Sequence, residues 1–244
     1  MRYFYDLHLH SCLSPCGDKD MTPYNLVNMA AISELDFIAL TDHNTCKNCP
    51  AAYKAAQEAG ITLICGMELC TSEEIHIVCL FPNLQSAMEF DKYIYTLLPD
   101  VENKPEIFGE QLIMNETDEV IGIEDKLLIT AANISIVDVP DAVKRFSGVC
   151  YPAHIDKSSY SVLASLGSIP QECNFTAVEI SARGDVAALK SHHPLLESVP
   201  LILSSDAHYL EDINPRRAWL ELDECSASAV IDALSGNCKD FGRG

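Results

Sequence analysis

Two histidines stand two residues apart near the start of the chain, in Tyr3-Phe4-Tyr5-Asp6-Leu7-His8-Leu9-His10. Side chains of an extended strand alternate between faces, so Asp6, His8 and His10 share one face and Leu7 and Leu9 the other. That face suits two imidazoles meeting one metal ion; the bland alternative is an exposed polar strand face. A buried core accounts for the leucines but not for the histidines, each of which would need its own hydrogen-bond partner. The remaining histidines point to metal. His8, His10, His43, His76, His154 and His208 fall in or just after predicted strands, with Asp18, Asp42, Glu68 and Asp206 close by in sequence. The pair His192-His193 lies at a helix end before Pro194 and reads as solvent-facing. Mixed imidazole and carboxylate donors suit zinc, manganese or iron without choosing among them.

The elements that must carry these residues follow from hydrophobic pattern and breakers. After the first strand comes a polar loop over 11–20, then Thr22-Pro23, a good cap followed by proline at the first helical position. The pattern predicts helices over 22–34, 50–59, 84–98, 140–146 and 226–236, and strands over 36–40, 61–65, 74–81, 149–153, 177–180, 201–204 and 219–222. A further helix is expected at 105–115, and 127–136 is compatible with helix or strand. Strands alternating with helices, with polar residues gathered after the strands, imply a parallel sheet closed or nearly closed into a barrel. In such barrels the active site lies at the C-terminal ends of the strands.

With 48% hydrophobic and 21% charged residues, the chain has the balance of an ordinary soluble protein. Its 244 residues suit a single domain over 1–244, with a less regular segment at about 84–148. A formal charge of −20 argues against a basic surface tracking a nucleic-acid backbone. Long nucleic acid is therefore not expected as a partner, whereas a short oligonucleotide held by metals is allowed. The start of the chain runs straight into a strand and no apolar run reaches spanning length, so a cytoplasmic protein without a membrane partner is expected. Without an export signal, the eleven cysteines read as reduced thiols.

Taken in order, His8-Leu9-His10, Thr41-Asp42-His43, Gly66-Met67-Glu68 and Ser205-Asp206-Ala207-His208, with His76 and His154 between, resemble the PHP family, named for polymerase and histidinol phosphatase. The resemblance implies an α/β fold, a distorted (β/α)7 TIM-like barrel, holding three divalent ions (zinc, manganese or iron). It assigns His8, His10, Glu68 and Asp206 to the first ion; Glu68, bridging, with His76 and His154 to the second; and His43 and His208 to the third. The third takes one more ligand from the loop after the first strand. Among Cys16, Asp18 and Asp20, Asp18 is chosen because it stands four residues before Thr22-Pro23. The implied reaction is hydrolysis of a small phosphomonoester or nucleotide phosphate through a metal-bound hydroxide, so the expected partner is a small phosphorylated molecule, a nucleotide or a short oligonucleotide.

Residues around this set have weaker claims. Arg183, after the strand at 177–180, is a candidate phosphate clamp against the alternative of a surface salt bridge. Lys157, close after His154, is a second substrate-binding candidate, and Asp42 is a candidate orienting partner for an imidazole. Arg216 and Arg217 read as surface residues. Cys12, Cys16, Cys46 and Cys49 could form a further metal or redox site, but their spacing is looser than that of a zinc ribbon. Two rival functions are a binuclear amidohydrolase and a non-catalytic metal or redox sensor. The second histidine of Asp206-Ala207-His208 and the complete ligand set speak against them.

Overall fold

Apolar runs bounded by polar residues become the walls of a barrel. The computed structural model describes residues 1–182, 184–213, 216–237 and 241–243. Its strands in chain order are β1 (Arg2–Leu9), β2 (Phe37–Leu40), β3 (Thr62–Cys70), β4 (His76–Phe81), β5 (Leu112–Met114), β6 (Val120–Ile123), β7 (Val149–Pro152), β8 (Val178–Ser181), β9 (Leu201–Ser204), β10 (Ala218–Glu221) and β11 (Phe241–Arg243). The helices are α1 (Pro23–Ile32), α2 (Cys49–Ala59), α3 (Leu84–Tyr95), α4 (Pro105–Phe108), α5 (Val139–Lys144), α6 (Val162–Leu166), α7 (Val186–His192) and α8 (Ala227–Asp232). Thr22 caps α1 as its pattern predicts, its Oγ1 accepting from Asn25 N at 3.2 Å. Gly60 ends α2 in the left-handed region, at φ 73°. The buried face of α2 includes Ala51, Ala52, Ala55 and Ala56, small enough to let it approach closely.

The wall runs β1-β2-β3-β4-β7, continues through the separate pair β8-β9, and returns to β1. Ile155 N donates to Glu179 O at 2.9 Å across the β7–β8 side, and His10 N to Ala207 O at 3.0 Å across the β9–β1 seam. This is a distorted barrel of the TIM-like kind. β2 and β8 carry almost wholly buried side chains because helices or loops cover one face and the barrel interior the other. β10 takes the N-terminal half of β1, pairing Arg2 with Glu221 and Phe4 with Trp219, so β9 meets β1 only near its other end. One contiguous apolar core extends from Tyr5 to Leu234. Among the described residues, no helix is long and apolar enough to cross a membrane.

Three local expectations change. β4 is antiparallel to β3, rather than parallel to it as a parallel sheet would require. Glu68 therefore lies inside β3 instead of past its end, and His76 opens β4 at the barrel mouth. At 105–115 the helix shrinks to α4, and Leu112 begins the β5-β6 hairpin. Its turn is built by Asn115, whose Oδ1 accepts from Thr117 N at 3.0 Å and Glu119 N at 2.9 Å. The stretch 127–136 is neither helix nor strand: Leu128 N donates to Gln111 Oε1 at 2.9 Å, and the Leu128 and Thr130 carbonyls accept from Asn44 Nδ2 at 2.6 and 2.8 Å.

Candidate metal centre

β1 is irregular where it matters. Its register against β2 slips between Asp6 and Leu9, and Thr41 Oγ1 patches the slip by donating to Leu9 O at 3.1 Å. His8 and His10 emerge there with no exposed surface, their Nε2 atoms 3.1 Å apart. The far nitrogen of each ring is held from behind. His8 Nδ1 donates to Glu179 Oε1 at 2.9 Å. His10 Nδ1 donates to Ser14 Oγ at 2.9 Å, and Ser14 Oγ donates in turn to Asp42 Oδ1 at 2.8 Å. Asp42 also accepts from Ser11 N at 2.7 Å and Ser11 Oγ at 2.6 Å. With Nδ1–H committed to an acceptor, each ring presents the Nε2 lone pair to the centre, the arrangement a metal ligand needs.

Glu68 is the hub. β3–β4 pairing sets its position opposite Val78, and its N–H is shared between the Thr41 and Asp42 carbonyls, each at 3.1 Å. Glu68 Oε1 lies 3.2 Å from His8 Nε2, 2.9 Å from His76 Nδ1 and 3.0 Å from His154 Nε2. Oε2 lies 2.9 Å from His43 Nδ1 and 3.4 Å from His10 Nε2. Asp206 Oδ1 stands 3.4 Å from His8 Nε2 and 3.2 Å from His10 Nε2. Burial alone would raise the Glu68 carboxyl, but His76, His8 and His43 hold it well below its usual range. His208 stacks on His10 with ring centroids 4.3 Å apart, and burial and the His10 charge push it down to about 3. His154 and Asp206 take positive φ, 28° and 56°, conformations costly for non-glycine residues and often stored at functional positions.

Three sets of donor atoms lie mutually within 4.8 Å: His8, His10, Glu68 and Asp206; His43, Glu68 and His76; and His10, His43 and His208. His154 joins the second through Glu68. These residues fit divalent ions on chemical grounds. His8 and His10 bring their Nε2 atoms within 3.1 Å of each other, and neutral imidazoles this close leave lone pairs facing one another. Protonated, they would repel; a divalent ion relieves both problems.

Other sequence candidates are distributed differently. The Asp18 carboxylate is not in these sets; its Oδ1 accepts from Asp20 N at 2.9 Å within the loop. Asp42 reaches an imidazole, that of His10, through Ser14. Lys157 pairs with Asp206 at the mouth and is about 43% exposed. Arg183 lies outside the described residues. Cys46 and Cys49 point their thiols toward Gly66 O inside the core, whereas Cys16 is exposed at the mouth, so the four loop thiols do not gather. His192 bonds Ala188 O at the end of α7, and Arg216 pairs with Glu34. Sequence reading missed Glu179, Ser14 and Tyr160, whose ring stacks on His76 at 4.7 Å. Glu179 had a signal: an acid inside the apolar run of β8 must have a buried partner.

A cleft of about 170 Å³ opens over the cluster, lined by His43, Glu68, His76, His154, Lys157, Ser159, Tyr160, Asp206 and His208.

Comparison with known proteins agrees with this geometry. The family model described as PHP domain matches residues 6–133, which contain His8, His10, His43, Glu68 and His76. A Haemophilus influenzae protein named 5'-3' exoribonuclease is 43% identical over 79 residues, 31% of this chain and 28% of that protein. The lesion-specific endonuclease PfuEndoQ from Pyrococcus furiosus superposes with a TM-score of 0.71 at 19% identity, over 100% of this chain and 58% of that one. An endonuclease Q complex with a 27-mer duplex bearing an abasic lesion gives 0.70 at 18% identity, over 98% and 58%. At such identities the likeness is one of fold, and the chain spans well under two thirds of these relatives.

The relatives correct one expectation. A fold neighbour seen on a 27-mer duplex and a relative named exoribonuclease remove the ground for excluding long nucleic acid. The physical reason is that a net charge of −20 is a sum over surface that salt screens beyond about 8 Å. The field at the mouth is set locally.

Proposed function

Because the chain belongs to the PHP domain family, we propose that it is a metal-dependent phosphoesterase acting on nucleotide phosphate esters, including those of nucleic-acid chains. One observation carries the reading: five imidazoles converge on the buried Glu68 carboxylate at the mouth of the barrel. His8, His10, Glu68 and Asp206 would hold one ion, Glu68, His76 and His154 a second, and His43 and His208 a third. Divalent ions bound there supply Lewis acidity toward phosphoryl oxygens and activate water near neutral pH.

This chain's own residues do the rest. Glu179 and the Ser14–Asp42 pair fix the rings of His8 and His10, so the donor atoms need not reorganise. Tyr160 covers one face of His76 and keeps water from it. Lys157, half-exposed beside Asp206, can swing its ammonium to a phosphate oxygen. A cleft of about 170 Å³ is smaller than most ligand pockets, so it admits a phosphoryl group and leaves the remainder of the substrate outside. Recognition through the phosphate accommodates a free nucleotide and a chain end equally. The nuclease names of the relatives favour the nucleotide ester over other phosphomonoesters.

The test is incubation of ion-loaded protein with a 5'-phosphorylated RNA oligonucleotide, its DNA counterpart, mononucleotides and p-nitrophenyl phosphate. Release of nucleotide or phosphate that depends on added zinc, manganese or iron and disappears in Glu68→Ala is the expected result. An ion-loaded protein inert on all four rejects the proposal.

A further inference from the structure

We propose that the loop ligand of the third ion position is the thiolate of Cys16, so that this position is a mixed imidazole–thiolate site rather than an imidazole–carboxylate one. The proposal rests on the three-ion reading above and adds to it the donor that reading leaves open.

Cys16 Sγ lies 3.1 Å from His208 Nε2, while His208 Nδ1 is occupied by the Asp206 carbonyl at 2.8 Å. His43 is only 6% exposed, and its Nδ1 faces Glu68 Oε2 at 2.9 Å. Cys16 Sγ thus meets, through His208, the group formed by His10, His43 and His208, whose donor atoms lie within 4.8 Å of one another. Asp18, the carboxylate in competition, is turned into its own loop. Its Oδ1 accepts from Asp20 N at 2.9 Å, and its N–H donates to His208 O at 2.9 Å. The backbone of residue 18 therefore ties the loop to the His208 segment, and Cys16 is the side chain thereby presented to the ring. Gly17 makes the approach possible, since a Cβ there would meet Ser11 O at 2.3 Å.

The exchange of donor has chemical consequences. A thiolate carries the same single negative charge as a carboxylate but is softer, so this position should prefer zinc or ferrous iron over manganese or magnesium. Binding is balanced by loss of the thiol proton: Cys–SH and a divalent ion give the thiolate complex and one proton to solvent. Because Cys16 is exposed, an alkylating reagent reaches it until an ion covers it.

The experiment loads the full chain with cobalt(II) and reads ion content together with the near-ultraviolet thiolate-to-cobalt charge-transfer band. Wild type should show the band and about three ions. Cys16→Ser should lose the band and about one ion. Cys16→Asp should regain the ion without the band, and Asp18→Asn should match wild type in both. Protection of Cys16 from iodoacetamide by zinc, followed by peptide mass mapping, gives a second readout independent of any variant's folding. Three ions in wild type with no band, or an ion lost in Asp18→Asn but kept in Cys16→Ser, overturns the Cys16 assignment and leaves the three-ion reading standing. Wild type holding fewer than about three ions overturns both.

Discussion

Glu68 shares its two oxygens among His8, His10, His43, His76 and His154, all within 3.4 Å, and no partner of ordinary protein chemistry explains such crowding. Histidines of this kind were legible in the sequence because strand spacing and strand ends fixed their type and place. Glu179 and Ser14 were harder to read, since what they do depends on a ring 171 residues away in one case and on a loop turn in the other. Glu179→Gln keeps the shape but weakens the acceptor behind His8. Ion affinity should fall roughly 10–100-fold, measured by competition with a chromophoric chelator; an unchanged affinity would reduce Glu179 to a packing residue. Protons give a second check. Burial opposes charge on His10, and burial and His10 oppose it on His43, yet hydrogen bonds and charge from Glu68, with Asp206 for His10 and Cys16 for His43, hold both rings up to about 9. Below that value each ring carries a proton that an ion must expel. Ion binding near neutral pH should release protons, fewer in strongly alkaline buffer, and affinity should drop on acidification. Calorimetry in buffers of different ionisation enthalpy counts them.

The β3–β4 hairpin is the element that brings Glu68 and His76 together, and Gly66 sets how closely its strands lie. A Cβ at Gly66 would stand 2.4 Å from Cys79 O and 2.8 Å from Leu80 Cδ2, and the first of these is backbone that cannot step aside. Gly66→Ala should therefore cost about 1–3 kcal/mol, roughly 3–10 °C in Tm, and should lower ion content as Glu68 moves off His76. Thermal unfolding alongside metal analysis tests this; an unaltered Tm would mean that the hairpin has slack. Elements with a single strong pattern were readable from sequence, as Phe37–Leu40 and Leu201–Ser204 illustrate. The direction of β4 was not, because an apolar run reads alike in either direction. The course of 127–136 was hidden for another reason: its backbone partners are the side chains of Gln111 and Asn44, which leave no local period.

Over the whole molecule, the charge of −20 acts as a background against which the cleft must work. A polyanion feels that background at low salt and loses it as the screening length shortens. Raising salt should thus leave kcat/KM for an oligonucleotide flat or increase it, opposite to a protein that binds through released counterions. A steep fall with salt would point to a basic track that the charge sum conceals. The seam between β9 and β1 offers a consequence of a mechanical kind. Half of that edge of β1 is taken by β10, so the join rests on the Leu9–Ala207 bridge and on Ser205 N donating to Asp6 Oδ1 at 3.0 Å. His8 and His10 on one side of the seam face Asp206 on the other, so an ion held by all three is also a clasp on the barrel. Chelation should then speed amide exchange at 201–208 far more than in β2 or β3, and a uniform response would show that the wall stays shut without it.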